Sequence, residues 1–253
     1  MNTTVGGDAG VPRVSAAALR ALHLRRAPED PLVLPGPWDA ASARVFVEAG
    51  FEALATPSAG IGESLGYGDG HTPPDEMFAA IARITRAVDV PVSADVEAGY
   101  GLSAKELVER LLDAGAVGCN LEDSDAATGT LRDPEEQADW LAEVRAVAGD
   151  ALVINARIDT FLRGESGAAP AVARGLRYVA AGADCVYPIL APPELLPELA
   201  TGIGAPVNAI AVPGGPSPRA LGAAGASRIT FGGGLQRQAM DTLRTVAAEL
   251  RAG

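Results

Sequence analysis

A short turn recurs four times along this chain and constrains its fold more than any other feature. Ala-Gly followed by Ala or Phe stands at 49–51, 114–116, 181–183 and 224–226, each time between a helix-like and a strand-like segment. Glycine commonly ends a helix because it adopts the left-handed conformation at little cost. One type of helix-to-strand connection, used repeatedly, predicts a series of similar βα units.

The segments between these turns alternate between apolar runs and helical patterns. The apolar runs are near-continuous, as expected of parallel strands covered on both faces. We predict strands at 32–35, 53–56, 92–96, 117–122, 152–158, 185–189, 207–211 and 228–231. We predict helices at about 15–26, 39–48, 74–88, 103–113, 134–147, 168–181, 193–199, 217–223 and 236–251. Ser103, Asp133 and Ser217 are typical N-caps for three of them.

Eight βα units predict an α/β fold, namely a single-domain (β/α)8 TIM barrel over residues 31–253 behind an N-terminal lead-in of residues 1–30. A chain of 253 residues, 48% of them hydrophobic, suffices for one large core. A doubly wound open sheet is the alternative. No G-x-G-x-x-G follows the first strand to support a dinucleotide-binding version of it.

Composition excludes several classes of partner. A net charge of −12 argues against nucleic acid and against anionic membrane surfaces. No apolar run approaches the roughly 20 residues of a membrane span, and the first residues lack a signal-peptide pattern. Cys119 and Cys185 lie in apolar strand-like runs, which favours core thiols in a reducing cytoplasm over a disulfide or a nucleophile. We therefore expect a cytoplasmic protein.

The chain contains 20 basic residues, and Lys105 is its single lysine. Lys105 falls in a helix-like segment past the end of the third strand. Schiff-base chemistry needs a lysine amine in the pocket, so lysine-dependent aldolases, decarboxylases and pyridoxal phosphate enzymes are improbable. An enzyme that stabilises a carbanion or enolate would then need a metal.

The third strand supplies a place for that metal. Asp95 and Glu97 are two residues apart, and residues i and i+2 of a strand share a face. Two anions this close repel each other and cannot both be left dry and unpaired. Mg²⁺ or Mn²⁺ suits such an oxygen-rich site. The alternative is a strand end whose acids are solvated or paired with arginine.

Polar residues collect at the predicted C-terminal strand ends, where barrels place their active sites. They are Thr56, Ser58, Asp95, Glu97, Asn120, Glu122, Asn155, Arg157, Tyr187 and Asn208. Polar groups at buried strand positions cost stability unless they pair or serve a ligand. A satisfied hydrogen-bond layer inside the barrel is the alternative.

Glycine-rich segments surround these strand ends. The segment 62–74 has the composition of a mobile βα loop. It carries Asp69, which could join the outer shell of a metal, and His71, which would titrate near neutral pH but could equally be a solvated loop residue. The segments 213–215 and 232–234 follow the last two strands, where barrels often bind phosphate.

Five motifs together resemble the isocitrate lyase / phosphoenolpyruvate mutase superfamily. They are Ser-Ala-Gly at 58–60, Gly-Tyr-Gly-Asp-Gly at 66–70, Ala-Asp-Val-Glu-Ala-Gly-Tyr-Gly at 94–101, Asn-Leu-Glu-Asp at 120–123 and Asn-Ala-Arg-Ile-Asp at 155–159. The resemblance extends over about residues 33–235 in the family's order. It implies a TIM barrel, Mg²⁺, and a small 2-oxo or 2-hydroxy acid bound through the metal.

The resemblance also implies roles for individual residues. Asp95 would be the principal metal residue, and Asp69, Glu97 and Glu122 would hold its coordinated waters. Backbone N–H groups of Ser58, Ala59 and Gly60 would bind the substrate carboxylate. Arg157 would bind a carboxylate or oxyanion, and Asn208 the far end of the substrate. We group Arg157, Glu122, Tyr187 and His71 as candidate catalytic residues, with Tyr187, His71 and metal-bound water as alternative proton donors.

Two family signatures are missing. Isocitrate and methylisocitrate lyases carry Lys-(Lys/Arg)-Cys-Gly-His after the fourth strand, where this chain has Asp-Ala-Ala-Thr-Gly-Thr at 125–130. Phosphoenolpyruvate mutases carry Glu-Asp-Lys followed by Asn-Ser, whereas here Ser124 follows Glu122 and Asp123. What remains is the divergent set of members with neither signature, which includes oxaloacetate decarboxylases and many members of unassigned activity.

We therefore predict a Mg²⁺-dependent lyase that cleaves a C–C bond of a small 2-oxo or 2-hydroxy dicarboxylic acid through a metal-stabilised enolate. The alternatives are a phosphonomutase or phospho-enol transferase and a non-catalytic binder of small dicarboxylates. Family members often exchange a C-terminal helix between subunits, so we expect a homo-oligomer, either a tetramer or a dimer.

Overall fold

The computed structural model describes residues 14–24, 29–125 and 127–252. Within these ranges the strands are β1 Leu32–Val33, β2 Leu54–Ala55, β3 Val92–Asp95, β4 Gly118–Leu121, β5 Val153–Ile158, β6 Cys185–Pro188, β7 Asn208–Ile210 and β8 Arg228–Thr230. The helices are α1 Ala16–Leu24, α2 Ala40–Glu48, α3 Ser58–Leu65, α4 Pro74–Thr85, α5 Ala104–Asp113, α6 Pro134–Ala148, α7 Ala169–Ala180, α8 Leu196–Ile203, α9 Pro218–Ala223 and α10 Gly234–Ala252.

The strands are parallel and follow one another around a ring. Ladder pairing gives the orders β1-β8-β7 and β2-β3-β4-β5-β6. A parallel bridge between Val186 and Val207 joins β6 to β7. At the other seam, the Ala55 N–H donates to the carbonyl of Pro35 at 3.1 Å. The structure thus confirms the predicted α/β TIM-barrel class and its single core.

The N-terminal helix closes the end of the barrel at which the strands begin. Leu19 of α1 is fully buried and packs in one cluster with Leu32 and Val153, which lie at the starts of β1 and β5. A Cβ on Gly118, at the start of β4, would stand 2.9 Å from Leu19 Cδ2, so glycine makes room for the helix. This end of the ring is therefore filled, and the opposite end remains for a site.

Most predicted elements are present with trimmed ends. Ser103, Asp133 and Ser217 cap their helices as predicted, each accepting a backbone N–H bond. The segment 193–199 proves to be a 3-10 turn, Pro193–Leu195, that leads into α8. Of the helix predicted at 15–26, residues 25 and 26 lie outside the described ranges. The division at residue 30 stays a prediction.

Two local predictions are wrong. Residues 62–65 belong to α3 and not to a loop, so Ser58 begins a helix instead of ending a strand. The third strand ends at Asp95, and Glu97 adopts φ +52°. The i, i+2 rule therefore does not orient Glu97, although its side chain still reaches the same cavity as Asp95.

Cys119 and Cys185 are both buried free thiols, as predicted. Within the described ranges, the helices are too short or too polar to cross a membrane.

Candidate active site

A cavity of about 600 Å³ opens at the C-terminal ends of the strands. This volume suits a small-molecule site. Most residues predicted from the sequence share its wall, namely Ser58, Ala59, Asp69, His71, Asp95, Glu97, Glu122, Arg157, Tyr187 and Asn208. Gly60 lies behind the wall, where it packs against Pro57 and Gln236. We call this cavity the mouth.

Asp95 is held by neutral donors from the start of α3 and from β4. Its Oδ2 accepts the Ser58 N–H at 3.1 Å and the Ser58 hydroxyl at 2.7 Å. Its Oδ1 accepts the Asn120 amide at 3.0 Å, and Asn120 is in turn oriented by Asn155 at 3.1 Å. A carboxylate fixed by neutral donors has a defined direction, which a metal ligand needs.

Glu97 stands near Asp95 without a cationic partner in the described chain. Its one side-chain hydrogen bond comes from the Tyr100 hydroxyl at 3.4 Å. Burial, and then the negative charges of Asp95 and Asp69, raise the pKa of Glu97 to about 7. Both Glu97 and Tyr100 have positive φ, at 52° and 55°. Left-handed backbone is costly for such residues and clusters at functional sites.

Glu122 and Arg157 form an ion pair on the next two strands. Arg157 is also gripped from behind by Asp159, with Nε to Oδ1 at 2.5 Å and Nη2 to Oδ2 at 3.3 Å. Ser124 donates to the same Asp159 at 2.5 Å. Burial raises the pKa of Glu122 to about 8, although the charge of Arg157 opposes this. Asp159 therefore fixes the guanidinium from behind, while Glu122 pairs with it inside the mouth.

The helix α3 turns its N-terminus toward the mouth. The first N–H groups of a helix have no partners within it, and here the Ser58 N–H is taken by Asp95. Pro57 provides no side-chain cap, so Asp95 replaces one from another strand. Ala59, the second residue of α3, also lines the mouth, and N–H groups at the start of a helix are suited to bind an anion.

The remaining predicted residues occupy different depths. Tyr187 is 6% exposed, and burial raises the pKa of its phenol to about 12. Asn208 accepts from the Thr230 hydroxyl at 3.2 Å. His71 is exposed in the loop after α3, with Nδ1 2.8 Å from the Asp69 carbonyl. Tyr187 thus keeps its proton at neutral pH inside the mouth, while His71 lies at the rim.

Sequence reasoning missed five arginine or serine residues that line the mouth, one of which is Ser124, just after β4. Ser93 and Arg228 lie deeper than the strand ends that the sequence singled out, and Arg163 and Arg237 come from loop and helix positions. The two-residue periodicity of β3 and β8 could have identified the first pair, because Ser93 precedes Asp95 by two residues. Local sequence offers no signal for the second pair.

The acids of the mouth fit a divalent cation bound mainly through water. Among the described residues, no three His, Cys, Asp or Glu side chains come close enough to hold one ion directly. Mg²⁺ commonly keeps several waters and binds through one or two carboxylates. Asp95 fits the direct ligand, while the charge that Asp69 and Glu97 concentrate beside it would be relieved by a cation.

Comparison with known proteins finds relatives over most of the chain. The sequence profile of the family described as phosphoenolpyruvate phosphomutase matches residues 19–251. An uncharacterized protein of Mycobacterium tuberculosis is 35% identical over 204 residues, which is 80% of this chain and 78% of that protein.

Solved structures are also similar to this chain over most of its length. A phosphonomutase candidate from Burkholderia cenocepacia shares 39% identity at a TM-score of 0.86 and covers 92% of this chain and 99% of its own. The structure of 2,3-dimethylmalate lyase, a PEP mutase/isocitrate lyase superfamily member, shares 27% identity at a TM-score of 0.83, covering 96% and 88%.

Proposed function

Because this chain belongs to the isocitrate lyase / phosphoenolpyruvate mutase superfamily, we propose that it is a Mg²⁺-dependent lyase for a small 2-oxo or 2-hydroxy dicarboxylic acid. For a 2-oxo acid the bond cleaved would be the C3–C4 bond, whose electrons pass through C3 to the C2 carbonyl oxygen, and decarboxylation of an oxaloacetate-like substrate is the simplest case. One observation carries this proposal: Asp95, Glu97 and Glu122 share the mouth with a firmly oriented Arg157.

The acids of the mouth would hold the ion. Asp95 would be its direct ligand, and Asp69, Glu97 and Glu122 would hold its waters. Mg²⁺, or Mn²⁺ in its place, supplies a Lewis acid that stabilises negative charge developing on a substrate oxygen. Without a lysine near the mouth, the chain itself offers no amine for that purpose.

The binding residues orient the substrate. Arg157 presents a planar fork to a carboxylate, and Asp159 prevents that fork from turning away. Ala59, at the positive N-terminal end of α3, lines the same mouth, and its N–H would donate to that carboxylate. Together they would fix one carboxylate and exclude water from the breaking bond.

A proton must finally reach the carbon that gains electrons. The Tyr187 hydroxyl is protonated at neutral pH and lines the mouth beside Arg157, its register partner on β5. His71, at the rim, is the alternative donor. Tyr187→Phe and His71→Gln separate the two, because the variant lacking the donor should lose kcat with little change in substrate binding.

The test is purified protein with oxaloacetate, in Mg²⁺ and in EDTA. We expect metal-dependent loss of oxaloacetate and formation of pyruvate and CO₂. Equal loss at the uncatalysed rate in both conditions would reject the decarboxylase. Binding of dicarboxylates without turnover would instead favour the non-catalytic binder.

A mutase is the second candidate, favoured by the description of the matching family and by the glycine-rich segment 232–234 at the mouth. It predicts that phosphonopyruvate is converted to phosphoenolpyruvate, followed by ³¹P NMR. The absence of a P–C bond change over many hours, with oxaloacetate turned over in parallel, would exclude it.

We also propose that the protein is a homo-oligomer, a dimer or tetramer, assembled through α10. Gln236 is its one buried residue in the described chain, while Leu243, Val246 and Leu250 are exposed at i, i+3 and i+7 on one face. Leu243→Glu with Leu250→Glu should lower the mass measured by sedimentation. Leu112→Glu, at an exposed leucine of α5, is the matched control.

A further inference from the structure

The floor of the mouth contains a buried arginine. Arg228 begins β8 and is 1% exposed, the largest of the fully buried side chains. Its side chain lies inside the barrel and lines the mouth from below, together with Ser93, Asn155 and Asn208. Charged side chains are almost never buried this completely unless they are paired.

Arg228 lacks such a pair. Its Nη2 donates to the Ser93 hydroxyl at 3.2 Å, while Nε and Nη1 are buried without a partner in the described part of the chain. No described carboxylate forms a salt bridge with it. A buried donor left unsatisfied costs stability, and a buried unpaired charge costs more.

The groups around the guanidinium are neutral. Burial raises the pKa of Cys119 and of Cys185 to about 12, so these neighbours of Arg228 stay protonated. His23, on the side of α1, has its pKa lowered to about 4, by burial and then by the charge of Arg228 itself. Tyr187 likewise keeps its proton, and Asp95 acts on Arg228 only from a distance. The positive charge is therefore uncompensated at the floor.

Asn208 adds a third unmatched donor. It is the strand neighbour of Arg228 in register, so the two side chains stand on the same face of the sheet. Its Oδ1 accepts from Thr230, which leaves Nδ2 buried without a partner among the described residues. Asn155 Oδ1 is a single unmatched acceptor at the floor. Donors and positive charge exceed acceptors there, which is the chemistry of an anion site.

The distance from the floor to the level of Asp95 sets the length of a ligand that could contact both. Ser93, which bonds Arg228, precedes Asp95 by two residues on β3, and two residues of a strand rise about 6.6 Å. The outer carboxylate oxygens of an extended four- or five-carbon diacid lie about that far apart.

We propose that Arg228 and Asn208 form an anion subsite that receives the distal carboxylate of a four- or five-carbon dicarboxylate whose first carboxylate lies at the level of Asp95. This proposal rests on the proposed function and sharpens it, because it assigns the selection of diacids over monoacids to the floor. Arg228 is then a specificity-determining residue that the strand-end motifs do not include.

The test compares two ligands that differ in the distal group alone. L-Malate and (S)-2-hydroxybutyrate share the 2-hydroxy acid end, and a methyl group replaces the distal carboxylate in the second. Affinities are measured by calorimetry on Mg²⁺-loaded protein. The wild type should bind malate more tightly, and Arg228→Met should weaken malate by about 10- to 100-fold while changing 2-hydroxybutyrate less than about twofold.

Other variants keep the test decisive if Arg228→Met does not fold by circular dichroism. Arg228→Lys retains the charge but not the fork, and Asn208→Ala removes one donor, so each should weaken malate selectively and by less. Arg244→Met, an arginine of α10 paired with Asp241 far from the mouth, is the matched control and should change neither affinity.

Three outcomes would overturn the subsite. Equal weakening of both ligands would show that Arg228 acts on the mouth as a whole. Equal affinity of the wild type for malate and 2-hydroxybutyrate would show that the floor does not distinguish a distal carboxylate from a methyl group. Stabilisation of metal-free wild type, but not of Arg228→Met, by chloride alone would assign the floor to an inorganic anion. If the wild type binds neither acid, the proposed function itself fails.

Discussion

The two ends of the barrel differ in whether their buried charged side chains have partners of opposite charge. At the closed end, Arg20 of α1 and Arg145 of α6 both bind Asp184. At the mouth, where Arg157 is ion-paired, Glu97 has no cationic partner in the described chain and Arg228 has no anionic one. Paired charges stabilise a fold at little risk, whereas unmatched ones persist where a ligand completes them. The contrast separates the stabilising end from the functional end.

The largest expected effect lies at the closed end. Leu19→Ala removes a fully buried side chain from the plug over the strand starts and should lower the free energy of unfolding by about 2–5 kcal/mol. Urea unfolding measures it. Leu24→Ala, on the same helix but 74% exposed, is the control and should change stability by less than about 0.5 kcal/mol. Similar losses in both would mean that α1 does not plug the barrel.

The next effect lies at the mouth and should leave the fold intact. Asp95→Asn removes the charge of the proposed direct metal ligand, so Mg²⁺ affinity measured by calorimetry should fall at least about tenfold, or about 1.4 kcal/mol. The unfolding free energy of the metal-free protein should change far less than in Leu19→Ala, because Asn can still accept from Ser58. Asp241→Asn, on exposed α10, controls for loss of one charge. Unchanged Mg²⁺ affinity in Asp95→Asn would reject the metal site.

The features that the sequence predicted have local causes, and the features that it missed depend on residues distant in the chain. The strands and capped helices were predictable, because periodicity and caps are local signals. The helix α3 was not: its segment Ser-Ala-Gly-Ile-Gly-Glu-Ser-Leu contains two glycines, and no side chain caps it. Its N-terminus is instead satisfied by Asp95, 37 residues away. Such long-range capping leaves no mark in a local window.

The floor of the mouth was missed for a related reason. Attention to the C-terminal strand ends finds Asp95, Glu122 and Arg157, but Arg228 stands at the start of its strand. Its significance depends on which neighbours fail to pair with it, and pairing across a barrel depends on tertiary structure. Cys119 and Cys185, by contrast, were predictable as buried thiols because each lies in an apolar strand-like run.

A smaller effect concerns acid stability at the closed end. His23 is buried with its pKa lowered from 6.5 to about 4, so between these values the unfolded chain binds more protons than the folded one. The contribution of neutral His23 to the free energy of unfolding is complete above pH 6.5. It is lost as the pH falls toward 4, by about 1.4 kcal/mol per pH unit at most. His23→Gln should reduce this loss of unfolding free energy at acid pH, as measured by urea unfolding at several pH values. His71→Gln, the other histidine, is the comparison, and a flattening there instead would contradict the assignment to His23.

The smallest effect has the opposite sign and belongs to the mouth. In metal-free protein, burial and the charge of Asp95 raise the pKa of Glu97 from 4.5 to about 7, so the folded state binds the proton more tightly and stability falls as pH rises through this range. Glu97→Gln should therefore be more stable than the wild type above pH 7, by an amount on the order of 1 kcal/mol once solvent screening is allowed for. Unfolding in EDTA at pH 5 and pH 8 measures this difference, with Glu109→Gln on exposed α5 as the control. Saturating Mg²⁺ should reverse the advantage, because the wild-type carboxylate then gains a cation that glutamine cannot bind as strongly. If the advantage survives in Mg²⁺, the charge at Glu97 is a defect of the fold and not part of a metal site.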